Sequence, residues 1–94
     1  MHITACVLEL EIPGCFSLKE KRGRLQPLLV KLNRQFGLAV AEIGRLDSHD
    51  GATVGCVAVS NDPAHNERVL QTALHWIEEN RPDVEIRDSH FEPR

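Results

Sequence analysis

Two helix-start signals, each a few residues downstream of a run with strand character, set the order of elements in this chain. Ser17-Leu18-Lys19-Glu20 has the capping-box form, a hydroxyl at the N-cap with a carboxylate three residues on. Asp62-Pro63 places an N-cap acceptor before a residue whose fixed φ suits the first helical position. Ahead of the first signal, residues 2–12 alternate toward their end, with Leu8, Leu10 and Ile12 one way and Glu9 and Glu11 the other, and stop at Pro13-Gly14. The earlier half is apolar on both faces, as in a central strand. Ahead of the second signal, residues 52–60 are small, β-branched and nearly all apolar, again a central-strand pattern.

Leu25, Leu28, Leu29, Leu32 and Phe36 recur at helical spacing after the first signal, and Gly37 is the natural stop. Pro27 conflicts with this helix: it lacks the N–H that would bond to residue 23 and clashes with that carbonyl, which predicts a kink or a short first turn joined to a straighter segment. Residues 38–46 read as a second strand and Asp47–Gly51 as a turn. Val69, Leu70, Ala73 and Ile77 share a face of the second helix, flanked by Leu74 and Trp76, and residues 84–88 form a short last strand. The order β-α-β-β-α-β, with right-handed crossovers, predicts a ferredoxin-like α+β sandwich over residues 1–94 as a single domain. Its four-stranded antiparallel sheet has the order 4-1-3-2, with both helices on one face.

With 94 residues there is room for one core, and 41% hydrophobic against 27% charged residues is a globular balance. No apolar run approaches the roughly 18 residues of a membrane span. Met1-His2-Ile3 has neither the basic nor the apolar region of a signal peptide. Cys6, Cys15 and Cys56 are odd in number and lack C-x-x-C spacing, against a disulfide framework or a zinc ribbon. A cytoplasmic protein without membrane association is expected.

A sandwich of this kind leaves one sheet face bare. Strand one offers it Ala5, Val7, Glu9 and Glu11; strand three offers either Thr53, Gly55, Val57 and Val59 or the alternate set. Neither strand holds an aromatic residue, so base stacking on the sheet is poorly supported. An apolar patch without aromatics favours pairing with a second copy, and Ala5, Val7, Val57 and Val59 are the candidate dimer-face residues.

Charge is unevenly spread. Residues 17–36 hold six basic residues (Lys19, Lys21, Arg22, Arg24, Lys31, Arg34) against Glu20, a local +5. The remaining 74 residues hold five basic and thirteen acidic ones, a local −8, so the net charge of −3 averages two unlike regions. Cations at a helix N-terminus oppose the macrodipole at about 0.3–1 kcal/mol each. A bound anion, such as RNA phosphate, would relieve that conflict. The plain alternative is a solvated cationic end, or pairing with acids from elsewhere in the fold.

No catalytic constellation, metal or cofactor is expected. His2, His49, His65, His75 and His90 have no ligand spacing, and Asp47, His49 and Asp50 read as a polar turn. Cys15 precedes a basic helix N-terminus, a setting that activates thiols, but a bystander role is the better account. Acylphosphatases share the fold but need an arginine in the first strand–helix loop, here Pro13-Gly14-Cys15-Phe16.

The run Pro13-Gly-Cys-Phe-Ser17-Leu-Lys-Glu-Lys-Arg22, with Pro27-Leu-Leu, Val40-Ala-Glu-Ile and Val59-Ser-Asn-Asp62, resembles the YlxP-like family of small bacterial proteins over nearly the whole chain. The resemblance implies a ferredoxin-like fold and an uncharacterised function, with no catalytic residues to carry over. Members are often encoded beside transcription-termination, translation-initiation and ribosome-maturation factors, which implies RNA or ribosome work. The leading expectation is a non-enzymatic binding module, a sheet-paired homodimer contacting RNA or a ribosomal partner through the six cations of helix one. The alternatives are a dimeric metabolite sensor of the ACT kind, binding near Pro13-Gly14, and a dimeric protein-interaction module.

Overall fold

The computed structural model describes residues 1–94. Strand β1 (His2–Glu11) leads through helix α1 (Leu18–Phe36), β2 (Ala39–Gly44), β3 (Gly51–Ser60) and helix α2 (Pro63–Asn80) to β4 (Glu85–Pro93). The strands make one antiparallel sheet in the order β2-β3-β1-β4, the arrangement the sequence predicts. Along β1 the even-numbered residues from Thr4 to Leu10 are buried, and Ala52, Val54, Cys56 and Ala58 of β3 join them. Leu25, Leu28 and Leu32 of α1 and Leu70, Ala73, Leu74 and Ile77 of α2 close that core from one side. Full burial of each such leucine contributes about 1.5–3 kcal/mol.

Both helix starts carry the caps read from the sequence. Ser17 Oγ accepts from the Glu20 N–H at 3.1 Å, and the Glu20 carboxylate accepts from the Phe16 N–H at 3.0 Å, one residue short of a strict capping box. That backbone donor, helped by the Arg24 guanidinium, holds the Glu20 carboxyl below the usual carboxylate range. Asp62 accepts from the Ala64 N–H at 3.0 Å. Gly37, in the left-handed region at φ 66, ends α1 by donating to Asn33 O at 3.0 Å.

Four features differ from expectation. Helix α1 runs unbroken through Pro27. Pro27 and Gly23 are both exposed, so water can serve the carbonyl that loses its donor. Strand β4 extends to Pro93 because Ser89, His90 and Phe91 pair with Leu8, Val7 and Cys6, and Phe91 packs against the core edge. Strand β2 is shorter than residues 38–46, ending at Gly44. On α2 it is Leu74 that is buried, with Val69 only partly so.

Candidate functional site

The basic segment divides once its side chains are followed. Lys21 is 2% exposed, and its Nζ lies 2.6 Å from Glu42 Oε2 while donating to Arg45 O at 2.9 Å and Ser48 O at 2.7 Å. Glu42 Oε2 is itself shielded from water, with that ammonium as its close partner. The placement of Lys21 among outward phosphate contacts is therefore corrected: it ties α1 to β2 and to the β2–β3 turn. The sequence held the signal. Lys21 precedes Leu25, Leu28 and Leu32 by four, seven and eleven residues and so lies on the apolar stripe. Glu42, in phase with Val40 on the helix side of β2, is the acid such a lysine requires.

Arg24 is also engaged. It donates to Pro13 O at 2.7 Å and Gly14 O at 3.3 Å and pairs with Glu20 at 3.2 Å, clasping the β1–α1 turn. Gly14 there has φ +69, which a side chain would strain. Lys31 Nζ lies 5.9 Å from the Trp76 ring centroid, within cation–π range, and Trp76 meets Phe36 edge-on. Lys19, Arg22 and Arg34 are exposed and make no side-chain hydrogen bond or ion pair. Of six candidate anion contacts, these three and Lys31, beside Trp76, have no acid or carbonyl partner.

The bare sheet face takes the first of the two phases considered for β3. Ile3 lies opposite Val59, Ala5 opposite Val57, Val7 opposite Gly55 and Glu9 opposite Thr53. Strand β2 adds Ala39 and Ala41, which pair with Val57 and Gly55, and Ile43. A Cβ built on Gly55 would come within 3.3 Å of Ile43 Cδ1, so the absence of a side chain at Gly55 lets Ile43 lie across the sheet. Ala5, Val7, Ala41, Ile43, Gly55 and Val57 line a shallow apolar depression of about 410 Å³. Val59 is 58% exposed and Ile43 55%. Charged residues rim the patch: Glu9 accepts from the Thr53 hydroxyl at 2.9 Å, Arg45 pairs with Glu11 at 3.1 Å, and His90, Glu92 and Arg94 line the β4 side.

Cys15 is buried, its thiol directed at Ser17 O at 3.5 Å, and the His49 Nδ1–H donates to Cys15 O at 2.8 Å. The histidine thus holds the backbone of the cysteine and not its sulfur. Asp50, which shares a loop with His49, is held below the usual carboxylate range by the Ser48 hydroxyl at 2.7 Å. Cys6 and Cys56 face each other across β1 and β3 on the core side, and burial pushes their thiols up to about 11 and about 12. No helix is long and apolar enough to cross a membrane.

The sheet order and the single helical layer define a ferredoxin-like α+β protein with a bare, apolar sheet face. Solved structures agree on the fold. A candidate antibiotic biosynthesis monooxygenase from Chloroflexus aurantiacus J-10-fl is similar with a TM-score of 0.60 at 15% identity, covering 98% of this chain and 92% of that one. A point mutant of SnoaB, a cofactor-independent oxygenase from Streptomyces nogalater, is similar with a TM-score of 0.55 at 15% identity, covering 98% and 90%. At that identity the likeness extends to the fold alone. The chain belongs to the family described as "Protein of unknown function (DUF503)", whose model matches residues 3–91. It is 35% identical over 69 residues to the uncharacterized protein YlxP of Bacillus subtilis (strain 168), covering 73% of this chain and 74% of that protein.

Proposed function

We propose that this protein is a non-enzymatic, cytoplasmic binding module, one domain over residues 1–94, that works as a homodimer paired through its bare sheet face. The observation that carries the reading is the face itself: Ala5, Val7, Val57 and Val59, with Ile3, Ala41 and Ile43, form an uncharged centre inside a charged rim. Recognition interfaces share that anatomy. The apolar side chains stand on a rigid sheet and need little ordering to pair. Sedimentation equilibrium at micromolar protein should give twice the 10.6 kDa monomer mass. Val57→Glu should yield a folded monomer, because its side chain points away from the core. A wild-type species at the monomer mass would overturn the reading.

An RNA or ribosomal partner is the second reading. Its support is the exposure of Lys19, Arg22 and Arg34 along α1 with no acid paired to them. Four such cations in place of six, Lys31 included, predict a shallower salt dependence, with a slope near four times that of a single phosphate contact. The metabolite-sensor alternative draws less support, since Arg24 already claims the carbonyls of Pro13 and Gly14.

A further inference from the structure

Strand β2 is an edge of the sheet, bonded to β3 on one side and to nothing on the other. Such edges usually carry an outward lysine, a proline or a mid-strand bulge that blocks further pairing. In Ala39–Gly44 the single charge is Glu42, which Lys21 holds inward, and the register shift falls only at the far end, between Glu42 and Gly44. Beside this edge, between α1 and β2, runs a groove of about 600 Å³ floored by Leu29, Val30, Val40 and Leu46. Val30 is 45% exposed and Leu46 60%.

The groove has a charge at each end. Arg34 lines it where β2 begins, and Arg22 lines its continuation past Leu46. The two arginines are twelve residues apart on α1, about 18 Å at the helical rise. The six residues of β2 span about 20 Å at the strand rise. A single added strand therefore reaches from one guanidinium to the other.

We infer that this edge and groove dock an extended peptide segment of a protein partner, apolar in its middle and acidic at both ends. It adds a fifth strand beside β2, its alternate side chains rest on Val30 and Leu46, and its terminal carboxylates meet Arg22 and Arg34. A second copy fits less well: pairing β2 with β2 would set two α1 helices side by side and bring like charges together. RNA fits less well too, because the carboxylate of Glu42 lies on the groove between the arginines and no aromatic lines it on which bases could stack. The inference does not rest on the sheet-face dimer, since it uses the outer edge of β2 and the groove toward α1.

The test pans a displayed peptide library, with Asp-Glu fixed at both ends of six randomised positions, against the full-length protein. Enriched peptides should lose about tenfold in affinity with Arg22→Glu and again with Arg34→Glu. They should lose binding to Val30→Asp and slow amide exchange in the β2 N–H groups not bonded to β3. Val57→Glu, which disrupts the dimer alone, should leave peptide binding intact. Three results each overturn the inference: no enrichment over an unrelated protein, enrichment indifferent to both reversals, or binding that leaves β2 exchange unchanged. A single-stranded RNA oligonucleotide that binds through Arg22 and Arg34 and competes for them without protecting β2 makes the surface a phosphate site instead.

Discussion

Substituting Lys21→Met keeps most of the buried stem and removes the ammonium. Two charge-assisted hydrogen bonds disappear, to Arg45 O and Ser48 O, along with the ion pair to Glu42. Hydrogen bonds to charged groups contribute about 1.5–3 kcal/mol each, and breaking a buried ion pair costs about 3–5 kcal/mol. These overlap, and the Glu42 side chain keeps 21% of its surface, so it can turn toward water and recover part of its hydration. The net expectation is a loss of about 2–4 kcal/mol, from a total of about 5–14 kcal/mol for a chain of this length. In urea, followed by far-ultraviolet circular dichroism, the midpoint should fall with the slope unchanged. The melting temperature should drop by at least about 10 °C. Because the two groups share one interaction, Lys21→Met with Glu42→Gln should cost at least about 1 kcal/mol less than the sum of the single changes. Arg22→Ala, one residue along the same helix, should stay within about 0.5 kcal/mol of wild type. A Lys21→Met protein equally close to wild type would show that the ammonium is not the tie described above.

Arg81 donates to both oxygens of Asp83 at 2.8 Å, and this pairing holds the Asp83 carboxyl below its ordinary value of 3.8. A carboxyl lowered in the folded state stabilises the fold above its unfolded pKa and loses that effect as the pH falls through the folded value. Asp83→Asn should therefore lower stability at neutral pH by about 0.5–1 kcal/mol after solvent screening, and the gap should close on the acid limb. Urea midpoints across that range check it, and a gap that does not narrow refutes it. Burial and the raised thiol pKa values of Cys6 and Cys56, about 11 and about 12, predict no alkylation by iodoacetamide in native protein at mildly alkaline pH and full labelling once denatured. Rapid native labelling at either position, read by mass spectrometry, would contradict that packing.

The architecture was legible wherever one physical signal stood alone. Ser17 and Asp62 marked both helix starts, and the alternation of Leu8, Leu10 and Ile12 with Glu9 and Glu11 marked a strand with two unlike faces. Strand β4 hid its second half because Ser89, His90 and Glu92 are polar, and Phe91 alone anchors that stretch to the core. An edge strand of that kind takes its pairing from β1 more than from its own composition. The basic segment misled for a different reason. Charge counting treats all cations alike, whereas Lys21 lies on the leucine stripe and Arg24 reaches back to Pro13, contacts fixed by tertiary geometry. The bare face was legible in composition but not in phase, because β3 is apolar on both sides and only its register against β1 turns Val57 and Val59 outward.

The position of β1 bears on how the chain can assemble. It precedes the other three strands in the sequence, yet it lies inside the sheet, flanked by β3 and by β4, which follows them all. During synthesis, β1 has no partner within this sheet until β3 follows, and one of its edges stays open until β4 pairs. Helix formation is local and fast, but closing this sheet needs contacts across almost the full chain, with Arg94 N–H reaching Ile3 O at 2.7 Å. Folding should therefore take milliseconds or longer, paced by the return of β4 and not by either helix. A nascent chain stalled before β4 would carry an uncovered central strand, the form most exposed to pairing with the wrong neighbour.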